Sequence, residues 1–508
     1  MYPGTFAATT PDKPAVIMAG SGETLTYRDL DDRSARLARA LHDLGLRPGD
    51  VLAMLSDNRP EALVMYWAAL RSGLYITAIN HHLSAEEVAY IVDDSDAGVL
   101  IAVDGLADLA AAIVPLTPRV RHRFVVGDPI EGHASYEALV AGAGERLVDQ
   151  PRGADMLYSS GTTGRPKGIR AALMPLQVDE PGDPVYALLG MAFQMGPDTV
   201  YLSAAPIYHA APLRWCGSVH ANGGTVVMME RFDAEAALDA IAAHGVTLLQ
   251  MVPTMFVRLL HLPEERRAAA DVDTLRMAVH AAAPCPPEVK QAMIDWWGPI
   301  LVEYYSSTEA NGLTMIGSAE WLEHRGSVGK ALLGVIRICD DDGTELPAGE
   351  IGTVYFERDA VPFAYHKDEG KTAAAQHPAH PTWTTVGDIG FVDADGYLYL
   401  TDRKAFMIIS GGVNIYPQEI ENVLALHPAI EDVAVIGVPD AEMGQRVRAY
   451  VQPRAGVVGT PELAEEIRGY VRERIAGFKV PREVEFLEAI PRTPTGKLVK
   501  RRLEALTA

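Results

Sequence analysis

Three cysteines in 508 residues, Cys216, Cys285 and Cys339, stand far apart and are odd in number, so neither a disulfide framework nor a cysteine metal cluster is suggested. Each is expected to be a small buried side chain. The apolar runs are short and interrupted, and the opening MYPGTFAATTPDKPAV lacks the charged-then-apolar plan of a secretory leader. No fixed-period repeat and no long low-complexity segment appear. Positive charge is also scarce. With 44 Lys plus Arg against 67 Asp plus Glu, a formal net charge of −23 argues against nucleic acid or an anionic membrane as the main partner. These shortages together predict a cytoplasmic enzyme without an integral membrane segment.

What is present is a globular composition, 48% hydrophobic and 22% charged, in a chain too long for one ordinary core. Up to about residue 150, helical stretches such as LTYRDLDDRSARLARALHDLG and SAEEVAYIVDDSD alternate with apolar runs such as VLAMLS and AGVLIAV. Ser84 is a predicted N-cap, with Glu86 and Glu87 in the first turn. Alternation of this kind predicts helices on a mostly parallel sheet, and the middle of the chain repeats it. After about residue 326, β alternation with Asp-Gly turns predicts a small antiparallel sheet or distorted barrel. The last hundred residues form a separate α+β unit. The negative balance lies before Thr401: after it the charges are fifteen of each sign, which leaves 29 basic against 52 acidic residues ahead of it. The basic run from Arg492 to Arg502 reads either as a solvated tail or as a mobile cationic end for a polyanionic ligand.

Four groups could carry chemistry. YSSGTTGRPKG (158–168) offers glycines for close approach and the hydroxyls of Ser159, Ser160, Thr162 and Thr163 for anionic oxygens. It is not a Walker A loop, because Pro166 stands where the second glycine belongs and Gly168 follows Lys167. Taken alone, such a stretch reads more often as a Gly- and Ser-rich surface turn, and context must decide. YYSSTEANG (304–312) follows an apolar strand, PILVEYY; Glu309 there is either a magnesium ligand or a solvated loop carboxylate. Asp388, between two glycines, could accept ribose hydroxyls with Arg403 as a second contact, or could merely form a turn. In PRTPTGKLVKRRL, Lys497 sits on a loop from which a charge can be delivered or withdrawn.

In this order, and with HAAAPCP (280–286) and ISGGVNIYPQEIE (409–421) between them, these strings resemble the signatures of the adenylate-forming superfamily, in its acyl-CoA synthetase branch. The resemblance covers essentially the whole chain. It implies an N-terminal adenylation domain over 1–400 built of helix-flanked sheets plus a small distorted β-barrel, a hinge at 401–405, and a small mobile α+β domain over 406–508. It also implies ATP, Mg²⁺ and coenzyme A as reaction partners of a small carboxylic acid. By the same resemblance Ser159, Ser160, Gly161, Thr162, Thr163, Gly164 and Lys167 would close over phosphate. Ala282, Ala283 and Pro284 would border adenine, with Tyr305, Ser306, Ser307 and Thr308 completing the nucleotide site and Asp388 and Arg403 on the ribose. Glu309 would hold Mg²⁺, Lys497 would stabilise the charge between carboxylate and α-phosphate, and Gly411 and Gly412 would face the pantetheine tunnel.

Departures from the family pattern are Ala405-Phe406 at the hinge, where charged residues are frequent, and Ser306, where glycine is frequent. PIYHAAPL (206–213) discriminates within the family. Amino-acid-activating relatives place an aspartate there for the substrate ammonium; this chain has His209, and an unpaired cation would be costly. His209 resembles the residue near the substrate carboxylate in acyl- and aryl-CoA ligases. Ala210 and Ala211 leave room for an apolar chain or ring, and Tyr304 and Ser306 are expected to complete the acyl site. The expectation is an acid:CoA ligase for a fatty or other apolar acid. The alternatives are an acyl-AMP ligase that loads a carrier protein and a catalytically silent binding protein on the same fold.

Overall fold

The computed structural model describes residues 2–159, 166–403, 406–411, 413–440, 442–492, 498–499, 502–503 and 505–506, without the side chains of 402 and 403. The chain is α/β and divides into two compact units, Met1–Gln250 with Ala270–Met277 and Pro362–Thr372, and Met251–Ala269 with Ala278–Val361 and Ala373–Ala508.

In the first unit, the helix Tyr27–Asp43 starts where Thr26 accepts from the Asp29 N–H and the Asp29 carboxylate answers the Thr26 N–H. Leu30, Leu37 and Leu41 fall on its buried stripe. Ser84 caps Ala85–Asp94 in the same reciprocal way with Glu87, as the sequence predicts. The helix Pro60–Leu70 is different: every residue except Glu61 is buried, so it is enclosed by protein rather than laid on a surface. An eight-stranded sheet runs in the order Ala364–Tyr365, Lys167–Arg170, Ala154–Ser159, Tyr75–Ala78, Val51–Leu55, Ala97–Val103, His122–Val126, Ala134–Ser135. Its middle is parallel and fully buried, which is why those strands read as continuous apolar runs. Further strands, Val200–Ser203, Thr225–Met228 and Pro14–Met18, pair in parallel.

In the second unit, Leu301–Ser306 pairs in parallel with residues 278–280 and antiparallel with Leu313–Gly317. Val335–Cys339, Gly352–Glu357, Asp388–Val392 and Leu398–Arg403 form the expected small antiparallel sheet, with Trp383–Thr384 added to Gly352–Glu357. Near the C-terminus, Ile430–Asp440 and Gly444–Pro453 pair over almost their whole length. The helices Pro417–Leu424 and Pro461–Arg472 bury Ile420, Leu424, Ile467 and Val471 against Val433, Val435 and Val451.

Cys216 and Cys339 are buried as expected, but Cys285 is half-buried, because it stands in a loop after a strand end and not in a packed element. Burial pushes the Cys216 thiol up to about 12, so it is no nucleophile. No helix among the described residues is long and apolar enough to cross a membrane.

Candidate active site

The Gly-rich motif lies between two strands that pair antiparallel, with Tyr158 opposite Gly168 and Ser159 opposite Lys167. It is therefore a hairpin connection, which explains physically why the Walker register fails: no helix follows for phosphates to rest on. Ser160, Gly161, Thr162, Thr163 and Gly164 lie outside the described residues. Gly168 is required by packing, since a Cβ there would meet the Tyr158 ring at 2.9 Å and the Met156 methyl at 3.1 Å. The Tyr158 hydroxyl donates to Asp94 at 2.7 Å, and burial together with that carboxylate raises its pKa. The Lys167 ammonium lies 4.8 Å from the centre of the Tyr365 ring, on the neighbouring strand, where cation–π attraction holds it at the sheet edge.

His209 is the N-cap of the helix Ala210–Ala221, and Ala210 and Ala211 occupy its first turn, half-buried. The loop leading to it is stitched by Asn58, whose amide donates to the Ala205 and Met229 carbonyls at 3.2 and 2.8 Å and accepts from the Ile207 N–H at 2.7 Å. Buried Tyr208 packs its ring 4.5 Å from that of His209 and 5.1 Å from that of His81.

In the second unit, the motifs expected to meet adenine and ribose touch each other. The Tyr305 hydroxyl donates to the Asp388 carboxylate at 2.5 Å, and Asp388 stands opposite Arg403 in the strand ladder. The Arg403 side chain lies outside the described residues. Beyond Tyr304, which is buried, the loop braces itself. Ser306 donates to the Gly312 carbonyl at 2.7 Å, Ser307 to the Asn311 side chain at 2.9 Å, and Asn311 to the Thr384 carbonyl at 3.3 Å. Gly312 lies so close to Phe356 that a Cβ would fall 2.0 Å from its ring. Thr308 is half-buried and Glu309 is only 8% exposed. Two alanines, Ala282 and Ala310, hold positive φ of 73° and 52°. Such strain in non-glycine residues concentrates where a loop is shaped for a ligand. Ala282 and Pro284 are exposed and Ala283 is half-buried.

The structure adds a buried set of which the quoted motifs contain only His280. Lys290 donates to Glu303 at 2.7 Å, both buried, and the His280 Nε2 lies 3.7 Å from the same carboxylate. Burial pushes the Glu303 carboxyl up against the opposing pull of Lys290, and burial with the Lys290 charge holds His280 well below the ordinary imidazole range. The available signal was a charge inside an apolar run, Glu303 in PILVEYY, since a buried charge must find a partner. Asp155 in ADMLYS and Arg214 in AAPLRWCGSVHA carry the same signal.

Gly411, with φ of 57°, donates its N–H to the Met443 carbonyl at 2.8 Å; Gly412, Lys497 and, of the expected hinge, Lys404 and Ala405 lie outside the described residues. Arg492 is not part of a solvated tail. It donates to both oxygens of Asp432 at 2.6 and 2.8 Å and forms an antiparallel β-bridge with Leu498.

Comparison with known proteins identifies the family. Residues 5–366 match the AMP-binding enzyme family, and residues 419–497 match the AMP-binding enzyme C-terminal domain. A feruloyl-CoA synthase from an Amycolatopsis species is 34% identical over 98% of this chain and 97% of its own. A fatty acid–acyl-carrier-protein ligase of Streptomyces coeruleorubidus is 31% identical over 97% and 93%. ATP-bound MatB from Rhodopseudomonas palustris superposes with a TM-score of 0.80 at 28% identity, covering 100% of this chain and 99% of that one. The chain therefore belongs to the AMP-binding enzyme family, in its acyl-CoA synthetase branch, and is an AMP-forming acid–CoA ligase that uses ATP and coenzyme A.

Proposed function

We propose that the protein joins an apolar carboxylic acid, aromatic or fatty, to the α-phosphate of ATP and passes the acyl group to coenzyme A, releasing pyrophosphate and AMP. The observation that carries the nucleotide half of this reading is the Tyr305–Asp388 hydrogen bond, which brings the residues expected on adenine and ribose together. A carboxylate is a weak nucleophile toward a polyanion, so the site must act by alignment and charge neutralisation. Ser159 and the hairpin hydroxyls would grip phosphate oxygens, with Lys167 supporting the sheet edge. Asp388 and Arg403 would orient the ribose, Ala282, Ala283 and Pro284 would border adenine, and Ser306, Ser307 and Thr308 would line the phosphate side. Next to Glu309 in the chain, Ser306, Ser307 and Thr308 offer hydroxyl oxygens, and with the Glu309 carboxylate these suit a hard divalent cation. Mg²⁺ held there would supply neutralising charge to the phosphates. Lys497 would stabilise the charge that develops as the bond to phosphorus forms, and the hinge at 401–405 between domains over 1–400 and 406–508 would then exchange it for Gly411 and Gly412.

For the acid, His209 replaces the carboxylate that an amino acid would need, and Ala210 and Ala211 leave space on the first helical turn. The feruloyl-CoA synthase similarity favours an aromatic ring ahead of the fatty chain. Loading of a carrier protein is the second reading, favoured by the acyl-carrier-protein ligase similarity. Purified protein given a panel of hydroxycinnamic, benzoic, medium-chain and long-chain acids is expected to release pyrophosphate with at least one. Silence across the panel rejects adenylation. Added CoA is expected to yield acyl-CoA and AMP; adenylate that accumulates until a carrier protein is supplied selects the second reading. Lys497→Ala is expected to suppress adenylate formation while sparing thioester formation from preformed acyl-AMP, and equal loss in both steps rejects its assigned role.

A further inference from the structure

Asp155 is the only charged residue of the strand that leads into the phosphate hairpin, and Arg214 is the only Lys, Arg, Asp or Glu of the helix that starts after His209. The Arg214 Nε donates to one Asp155 oxygen at 2.7 Å and its Nη2 to the other at 2.8 Å. The side chains are only 20% and 12% exposed. Apolar residues would hold strand and helix together as firmly. What a two-bond guanidinium fork adds is a fixed distance and a fixed angle.

The positions of the two residues give that geometry a use. Strand alternation places Asp155 and Ser159 on one face, about 13 Å apart. Helical spacing places Arg214 on the same side as Ala210, one turn further along the helix that His209 caps. A second tie runs the same way: Arg152, just before the strand, donates to Asp183 at 2.9 Å, and Asp183 caps the helix Pro184–Ala192. Tyr186 of that helix shares a 2.6 Å hydrogen bond with Tyr66. The His209 helix has no slack toward this neighbour, because a Cβ on Gly217 would come within 2.6 Å of the Tyr186 hydroxyl oxygen.

We infer that Arg214 and Asp155 are positioning residues for adenylation, a strut that sets the His209 helix against the strand feeding the phosphate hairpin. The inference rests on the adenylation reading above. Neither residue is assigned a contact with a reacting atom. Their contribution is alignment of the acid-side turn with the phosphate-side strand, where a displacement of about 1 Å costs about 100-fold in rate. Transfer to the thiol starts from an acyl-AMP already formed, so it does not need that alignment to be re-established.

The test separates the half-reactions. Arg214→Lys keeps the charge and loses the fork; Asp155→Asn keeps the shape and loses the charge. Each is expected to lower kcat for acyl-AMP formation without CoA by about 10- to 100-fold, with KM for ATP changed by less than about threefold. Thioester formation from supplied acyl-AMP is expected to stay within about threefold of wild type. The double variant Asp155→Asn/Arg214→Met should be no slower than the slower single variant, because one strut is lost once. Gly217→Ala, which displaces the helix without altering either charge, should give the same selective loss if the charge variants fold poorly. Parallel loss of both half-reactions with the folded fraction, or no loss in either, overturns the inference while leaving the adenylation reading intact. A wild-type chain that releases no pyrophosphate with any acid overturns that reading and the inference together.

Discussion

In the first unit the residues expected to carry chemistry are held from a distance, and in the second they hold one another. Asp155 with Arg214 and Arg152 with Asp183 tie the strand region to helices, while the hairpin sits at the far end of its strand and the His209 turn at the start of its helix. Tyr305 and Asp388, by contrast, are both expected nucleotide contacts and bond directly, and the 306–312 loop braces itself through Ser306, Ser307 and Asn311. Perturbation of the first arrangement should travel along an element. Perturbation of the second should stay where it is made.

The largest effect tests the travelling kind. His220, on the His209 helix, accepts at Nδ1 from the Trp67 indole at 3.1 Å, and its Nε2 lies 3.0 Å from the Ala15 carbonyl, to which it donates. That neutral tautomer uses both nitrogens, and burial holds the pKa down to about 4 from an ordinary 6.5. A depressed histidine contributes stability that is complete above the unfolded value and is lost as pH falls from 6.5 toward 4. At about 1.4 kcal/mol per pKa unit the loss is about 3 kcal/mol. The urea-unfolding free energy of wild type minus that of His220→Gln should shrink by this amount between pH 7 and pH 4. Parallel curves would mean that this helix is not anchored there.

Next comes the local kind. Asp388→Ala removes a buried carboxylate expected to face the ribose, and should lower kcat/KM for ATP about 100-fold at an unchanged KM for the acid. Tyr305→Phe should cost about tenfold, and the double variant no more than Asp388→Ala alone, since the two residues act as a pair. Additive losses in pyrophosphate release would break the contrast. Gly312→Ala forces a methyl group into the Phe356 ring and should destabilise by about 2 kcal/mol in urea titration, with ATP binding weakened and acid binding spared. Smallest is Ser84→Ala, which removes an N-cap far along the chain from any motif and should cost about 1 kcal/mol with full activity.

The elements themselves were legible wherever local physics sufficed. The Ser84 cap, the Tyr27–Asp43 stripe and the buried parallel strands follow from side-chain periodicity and capping, which are short-range. The motif residues were legible as strings. The ties between strings were not: Tyr305 meets Asp388 across 83 positions and Asp155 meets Arg214 across 59, and no local rule reaches that far. Lys290 went unseen for the same reason, although Glu303 in an apolar strand announced that some cation must come. The Cys285 expectation failed because a cysteine beside two prolines follows the loop it stands in, not its own apolar preference.

The hairpin at 158–168 has a consequence for protein engineering. Ser159 and Lys167 are paired, so the ends of the seven-residue connection are pinned about 5 Å apart by the ladder. Added length cannot separate the ends; it can only change how far the tip reaches. Even doubling a flexible loop costs only about 0.6 kcal/mol. A library screened for thermal stability would therefore pass insertions here that a screen for turnover would discard, and length, more than composition, is the dimension to hold constant when this segment is grafted or randomised.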